Sequence, residues 1–263
     1  YALESALEEL YGEKCTSMVA NPADREGSPD LIQELEAGYD EMVVQSPMVY
    51  QLSYHTLDAP LVSEIVRAVV SQLFHESMCS LFENFQPHAV ISTYPFHAKA
   101  VAKVAKELEI DCPMAVVITD LTDVQSLWYS PEATMHYVPT PAIREQAYQN
   151  HIPATRVRVT GIPVDPGFAR ERRSSTQLRK SLGWSEKSPT CLIVASPRIQ
   201  EMARISTLLD QMPELQVAVV CGGNTQLYRK LDEYNPSNNF HLYDWADNMP
   251  QLMKAADFII SKA

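Results

Sequence analysis

The chain has 263 residues, 46% apolar and 21% charged, with a formal charge of −12 from 33 acidic and 21 basic side chains. That length suits two domains, and the composition is that of an ordinary globular protein with a sizeable core. The acidic balance argues against nonspecific nucleic-acid binding, which needs Lys and Arg to displace counterions from phosphates, and is compatible with a local basic patch, for example near Arg170, Arg172 and Arg173.

The pattern along the chain alternates strands with helices. Leu3, Leu7 and Leu10 recur at helical spacing, so the chain opens in a helix. Strand character follows at residues 41–44, 89–92 and 114–119, at Val138 and at 156–159, with helical patterns over 61–83 and 98–108 between them. Gly161, Pro163, Pro166 and Gly167 then punctuate the chain and set a domain boundary between residues 163 and 164. A charged helix over 174–182 leads into a second series. It comprises a strand at 190–195, a helix over 199–211, a strand at 217–221 and a helix over 224–233. A strand at 240–242, a helix over 248–255 and a strand at 258–261 complete it. Strands separated by helices predict an α/β fold with parallel sheets covered on both faces. A parallel strand needs its crossover, so the stop just after the last one predicts that both chain ends are cut.

Cys15, Cys79, Cys112, Cys191 and Cys221 are odd in number and never paired as CxxC, which points to free thiols in a reducing compartment and against a zinc site. No apolar run reaches the roughly 18 residues of a membrane span, and no signal peptide is evident, so the expected location is cytoplasmic. The other histidines (His55, His75, His88, His136, His151 and His241) are scattered and read as surface or packing residues, while Leu73, Phe74, Leu81, Phe82 and Phe85 read as core.

The clearest chemical pattern lies in the second half. An apolar strand runs into Cys221, Gly222, Gly223 and Asn224, and a helix follows. Ligands of parallel sheets bind at the carboxyl ends of strands, where glycine lets backbone amides approach a phosphate and the helix terminus favours an anion. An ordinary tight strand-to-helix turn has the same sequence signature. Further on, the segment from Tyr243 to Met249 admits two readings: Asp247 or Asn248 caps the next helix, or Tyr243, Asn248 and Met249 meet a nucleotide base.

Five segments in order carry a family likeness. They are ISTYPFHAKA at 91–100, VVITDLTDVQSLWYSPEATMHYVPT at 116–140, GIPVDPGF at 161–168, VAVVCGGNTQLYRKL at 217–231 and WADNMPQLMKAADFIISKA at 245–263. The series resembles the plant monogalactosyldiacylglycerol synthases and the bacterial processive diacylglycerol glucosyltransferases, from about Glu41 onward. The resemblance implies two Rossmann-like domains of the GT-B architecture, residues 1–163 on the acceptor side and 164–263 for the UDP-sugar. It implies an inverting transfer of a hexose from UDP to a lipid acceptor at the membrane surface, and its aspartate and tryptophan match Asp120 and Trp128.

The chain departs from the family pattern at several places. The family His-Pro appears as Tyr94 and Pro95, with His97 close by, and Cys-Gly-Arg-Asn appears as Cys221, Gly222, Gly223 and Asn224. A glycine-rich donor loop is replaced by Val194 to Ile199, where Ser196 and Arg198 are the groups left to meet phosphate. The family's N-terminal Gly-Gly-Gly-His and its C-terminal Gly-Gly-x-Thr segments are absent from this chain. On the acceptor side Asp120 and His97 are the candidate catalytic groups, against the plainer reading that Asp120 caps the next element. No carboxylates or histidines stand at metal-ligand spacing, so neither metal nor cofactor is expected, the UDP-sugar serving as donor substrate. Two other readings remain: a non-catalytic relative with the same fold, and an enzyme like the UDP-N-acetylglucosamine 2-epimerases. The oligomeric state is left open.

Overall fold

The structure is a computed structural model, described here for residues 1–24, 60–196 and 201–261. The strand predicted at 41–44 and the side chain of Arg198 lie outside those residues. The chain divides into two compact units, Tyr1–Val164 and Asp165–Ala263.

The first unit begins with helix α1 (Ala2–Tyr11), as its leucine spacing predicts. Where the sequence suggests one helix over 61–83, two occur: α2 (Pro60–Leu73) and α3 (His75–Phe85). Phe74 separates them with φ −86° and ψ 0°, and its ring is buried. Phe74, Met78 and Phe82, spaced four apart, then share the core, so the break lets the second helix present its own apolar stripe. The left-handed Gln86 ends α3.

Strands β1 (Val90–Ser92), β2 (Met114–Val117), β3 (Met135–Val138) and β4 (Val157–Val159) form a parallel sheet in sequential order. Helix α4 (Ala98–Glu107) crosses from β1 to β2, and α5 (Pro141–Gln149) from β3 to β4. Thr140 caps α5 through its hydroxyl, and Pro141 supplies a ready-made first turn. Val101 and Val104 of α4 pack with Met114, Val116 and Val138 of the sheet in one core.

The second unit repeats the plan. Short α6 (Gly167–Arg170) precedes α7 (Ser175–Leu182), whose capping box pairs Ser174 with Gln177 and whose end is the left-handed Gly183. Strands β5 (Thr190–Val194), β6 (Gln216–Val220), β7 (Phe240–Tyr243) and β8 (Phe258–Ile260) form a parallel sheet ordered β7-β6-β5-β8. Alternate strand residues face opposite sides. Cys191, Ile193, Val217 and Val219 pack with Met202 of α8 (Met202–Asp210) and Leu231 of α9 (Thr225–Glu233). Leu192, Ala218 and Val220 pack with Leu178 of α7 and Leu252 of α10 (Met249–Ala255). Burial on both faces explains why the central strands β5 and β6 read as apolar runs.

Candidate functional site

At the carboxyl edge of the first sheet, β1 leads into a loop that ends at His97, the N-cap position of α4. Ser92 Oγ donates to the Tyr94 carbonyl (2.8 Å) and tightens that loop. The His97 ring lies edge-on to Phe74 (5.0 Å between centroids) and tilted against Tyr94 (5.1 Å). These apolar neighbours desolvate the imidazole and hold its pKa down to about 4. His97 is therefore neutral near pH 7, and its buried Nε2 has no hydrogen-bond partner among the described residues.

The neighbouring strand β2 runs on through Ile118 to the exposed Asp120. Trp128 Nε1 donates to Asp120 Oδ2 at 3.2 Å. The buried indole belongs to a 3₁₀ turn, Ser126–Trp128, so Asp120 is held by a side chain eight positions away. Arg67 of α2, whose side chain is only 12% exposed, donates from Nη2 to the Ser126 carbonyl at 2.5 Å and braces that turn. The parallel register places Ser92 beside Val116, which sets the loops carrying His97 and Asp120 on one edge. Asp120 thus bonds Trp128 directly. Arg67 escaped sequence analysis, because a contact across 59 positions leaves no local signal.

At the carboxyl edge of the second sheet, Gly222 (φ 63°) and Gly223 (φ 80°) occupy the left-handed region that favours glycine. The Gly223 amide donates to the Asp244 carbonyl (3.0 Å), and Asn224 Oδ1 accepts from the Leu227 amide (3.0 Å), capping α9. Two of the three predicted phosphate-binding residues therefore also hold the turn itself. The Gly222 amide has no partner among the described residues. Ser196 lies two residues past Val194, the last residue of β5, which pairs with Val220, so Ser196 and Gly222 share this edge.

Tyr243 ends β7, and its hydroxyl accepts from Trp184 Nε1 at 3.0 Å. Burial pushes the phenol pKa up, with the indole bond opposing. The half-buried ring packs with the core on the α7 and α10 side. Asn248 is the N-cap of α10 but makes no side-chain cap bond, and Asp247 instead accepts from Trp245 Nε1 (2.9 Å). The predicted capping by either side chain is thus corrected: the backbone carbonyl of Asn248 alone serves the first turn, through the Gln251 and Leu252 amides. Met249 is the first residue of that helix. Trp245, which the sequence did not single out, is 65% exposed, and a Cβ placed on Gly223 would lie 4.0 Å from its ring. An exposed tryptophan after a strand was the available signal.

Of the predicted basic patch, Arg173 is tied to Glu171 through Nη2 and Nε (2.6 and 3.0 Å). The predicted absence of metal-ligand spacing needs amendment, because folding brings His75, Cys79 and Glu107 together.

The sequence model of the monogalactosyldiacylglycerol synthase family matches residues 1–164. The whole chain aligns at 25% identity with a sequence from Nicotiana tabacum named as a probable monogalactosyldiacylglycerol synthase, chloroplastic, covering 51% of it. It aligns at 24% with the monogalactosyldiacylglycerol synthase of Spinacia oleracea, again over 100% of this chain and over 52% of that protein. The chain thus spans about half the length of these relatives. Among solved structures it is similar to the S. aureus MnaA-UDP co-structure (16% identity, 76% of this chain and 59% of that one, TM-score 0.51). It is also similar to the Neisseria meningitidis UDP-GlcNAc 2-epimerase bound to UDP-GlcNAc (18%, 73% and 60%, TM-score 0.51). At these identities the likeness shows the fold alone: two Rossmann-like α/β units, as in GT-B proteins.

Proposed function

Because this chain belongs to the monogalactosyldiacylglycerol synthase family, we propose that it carries the core of an inverting glycosyltransferase that moves a hexose from a UDP-sugar to a lipid acceptor such as diacylglycerol. The family match over residues 1–164 carries the reading, and the names of the relatives favour galactose as the hexose. The first unit takes the acceptor and the second takes UDP. The acceptor, being a lipid, is met at a membrane surface; no helix among the described residues is long and apolar enough to cross a bilayer.

In the transfer, the acceptor hydroxyl oxygen attacks the anomeric carbon, the bond to the diphosphate breaks, and its electron pair leaves with UDP. The hydroxyl proton passes to a base. Asp120, oriented by Trp128, is the acceptor-side group we assign to the incoming hydroxyl. His97, neutral with one bare ring nitrogen, is the second candidate, and its pKa of about 4 makes it a weaker base than an ordinary histidine. The leaving diphosphate is received by the Gly222 amide, Ser196 and Arg198, with Tyr243, Asn248 and Met249 lining the nucleotide side through their backbone. Electrostatic stabilisation of this kind needs no metal.

A second reading, a member that keeps the fold without the transfer, is favoured by the loss of the glycine loop before Arg198. One assay separates the two. The full-length gene product is incubated with labelled UDP-galactose or UDP-glucose and diacylglycerol vesicles. Lipid-borne label that falls in Asp120→Asn supports the proposal. A folded, UDP-binding protein that labels no lipid supports the second reading.

A further inference from the structure

Helices α3 and α4 carry a cluster unrelated to either carboxyl edge. His75 and Cys79 are four residues apart on α3, so both project from one helical face, a spacing that lets two side chains share one cation. Glu107, the last residue of α4, reaches the same point: its Oε2 lies 2.5 Å from His75 Nε2. Cys79 Sγ is 3.9 Å from both ring nitrogens of His75, and one ligand atom from each of the three residues falls within 4.8 Å of the others. An ion pair joins His75 to Glu107, and Cys79, packed against the core, brings its sulfur beside them.

We propose that His75, Cys79 and Glu107 bind a thiophilic divalent cation of the zinc class, which fastens α3 to the end of α4. The donor set is an imidazole, a thiolate and a carboxylate, which suits zinc and disfavours calcium or magnesium. A tetrahedral ion with bonds of about 2.0–2.3 Å holds its ligand atoms some 3.3–3.6 Å apart. Reaching that requires the His–Glu pair to open from 2.5 Å and the thiol to close from 3.9 Å. Water would complete the coordination. On binding, the thiol proton passes to the buffer as the sulfur–metal bond forms. His97 caps the opposite end of α4, so the site is structural and leaves the proposed transfer metal-free.

Cobalt(II) titration of the reduced, chelator-stripped protein tests this. One equivalent should give a near-ultraviolet thiolate charge-transfer band, release about one proton, and be displaced by zinc. Zinc should raise the melting temperature. Cys79→Ser should abolish the band and the shift while melting like the parent in chelator. Glu107→Gln should weaken binding by more than about tenfold. Cys15→Ser and Cys112→Ser should change nothing. An absent band, or one that survives Cys79→Ser, overturns the proposal and leaves His75 and Glu107 as an ion pair only.

Discussion

Asp120 is the residue on which the proposed chemistry turns, and Trp128 is what keeps it in place. Replacing Asp120 with Asn keeps the shape and removes the charge. Transfer should fall by roughly 10²–10⁴, the usual range for a lost acid–base group, with UDP binding unchanged. Trp128→Phe removes only the indole donor, so kcat should fall less while KM for the acceptor changes little. Steady-state kinetics with diacylglycerol vesicles separate these outcomes. His97 and His136 supply a prediction about stability. Burial holds both pKa values down to about 4; at His136 a backbone hydrogen bond with Arg156 opposes it and the Arg156 charge adds to it. In the unfolded chain they titrate near the ordinary value, so between about pH 6.5 and pH 4 the unfolded state binds more protons. Stability is therefore complete above that window and drops as pH falls through it, by up to about 3 kcal/mol for each histidine. Urea unfolding at pH 7 and pH 5 should show the loss, and His97→Phe should remove a share of it. The sequence made Asp120, Trp128 and His97 visible as types. It left out the indole–carboxylate bond and the bare Nε2, because both are products of packing.

Among the elements, the turn from β6 to α9 joins structure to proposed function. Gly222 and Gly223 both have positive φ, so an alanine at either should destabilise the second unit by about 1 kcal/mol. Gly223→Ala also brings a methyl close to Trp245. Asn224→Ala removes the α9 cap and should cost about another 1 kcal/mol. A larger loss is expected at Arg179. Its buried guanidinium donates to the carbonyls of Ala255 and Ser188 and to Asp257 Oδ2, tying α7 to the end of α10 and to the amino end of the β5–β8 pair. Arg179→Ala strands these acceptors and should cost about 2–4 kcal/mol by thermal melting. Strands β5 and β6 were legible because burial on both faces makes them short apolar runs. The break at Phe74 was not, since the apolar spacing of α2 passes into that of α3 without a glycine or proline. Arg179 was hidden for a related reason: in a charged helix, one more cation looks solvated.

For the whole molecule, the alternation of strands and helices was enough to give two parallel α/β units, and the order of five modest motifs pointed to a family. The net charge of −12 carries its own expectation: binding of the protein to vesicles should gain little from anionic lipid and should not collapse as salt is raised. The central claim is that the second unit holds UDP. Calorimetric titration of the full-length gene product with UDP, UMP and GDP addresses it most directly. The account predicts saturable binding of UDP, with UMP weaker by about tenfold or more for want of the second phosphate and GDP weaker because its base is wrong. A folded protein that binds none of the three, or binds GDP as well as UDP, would contradict it.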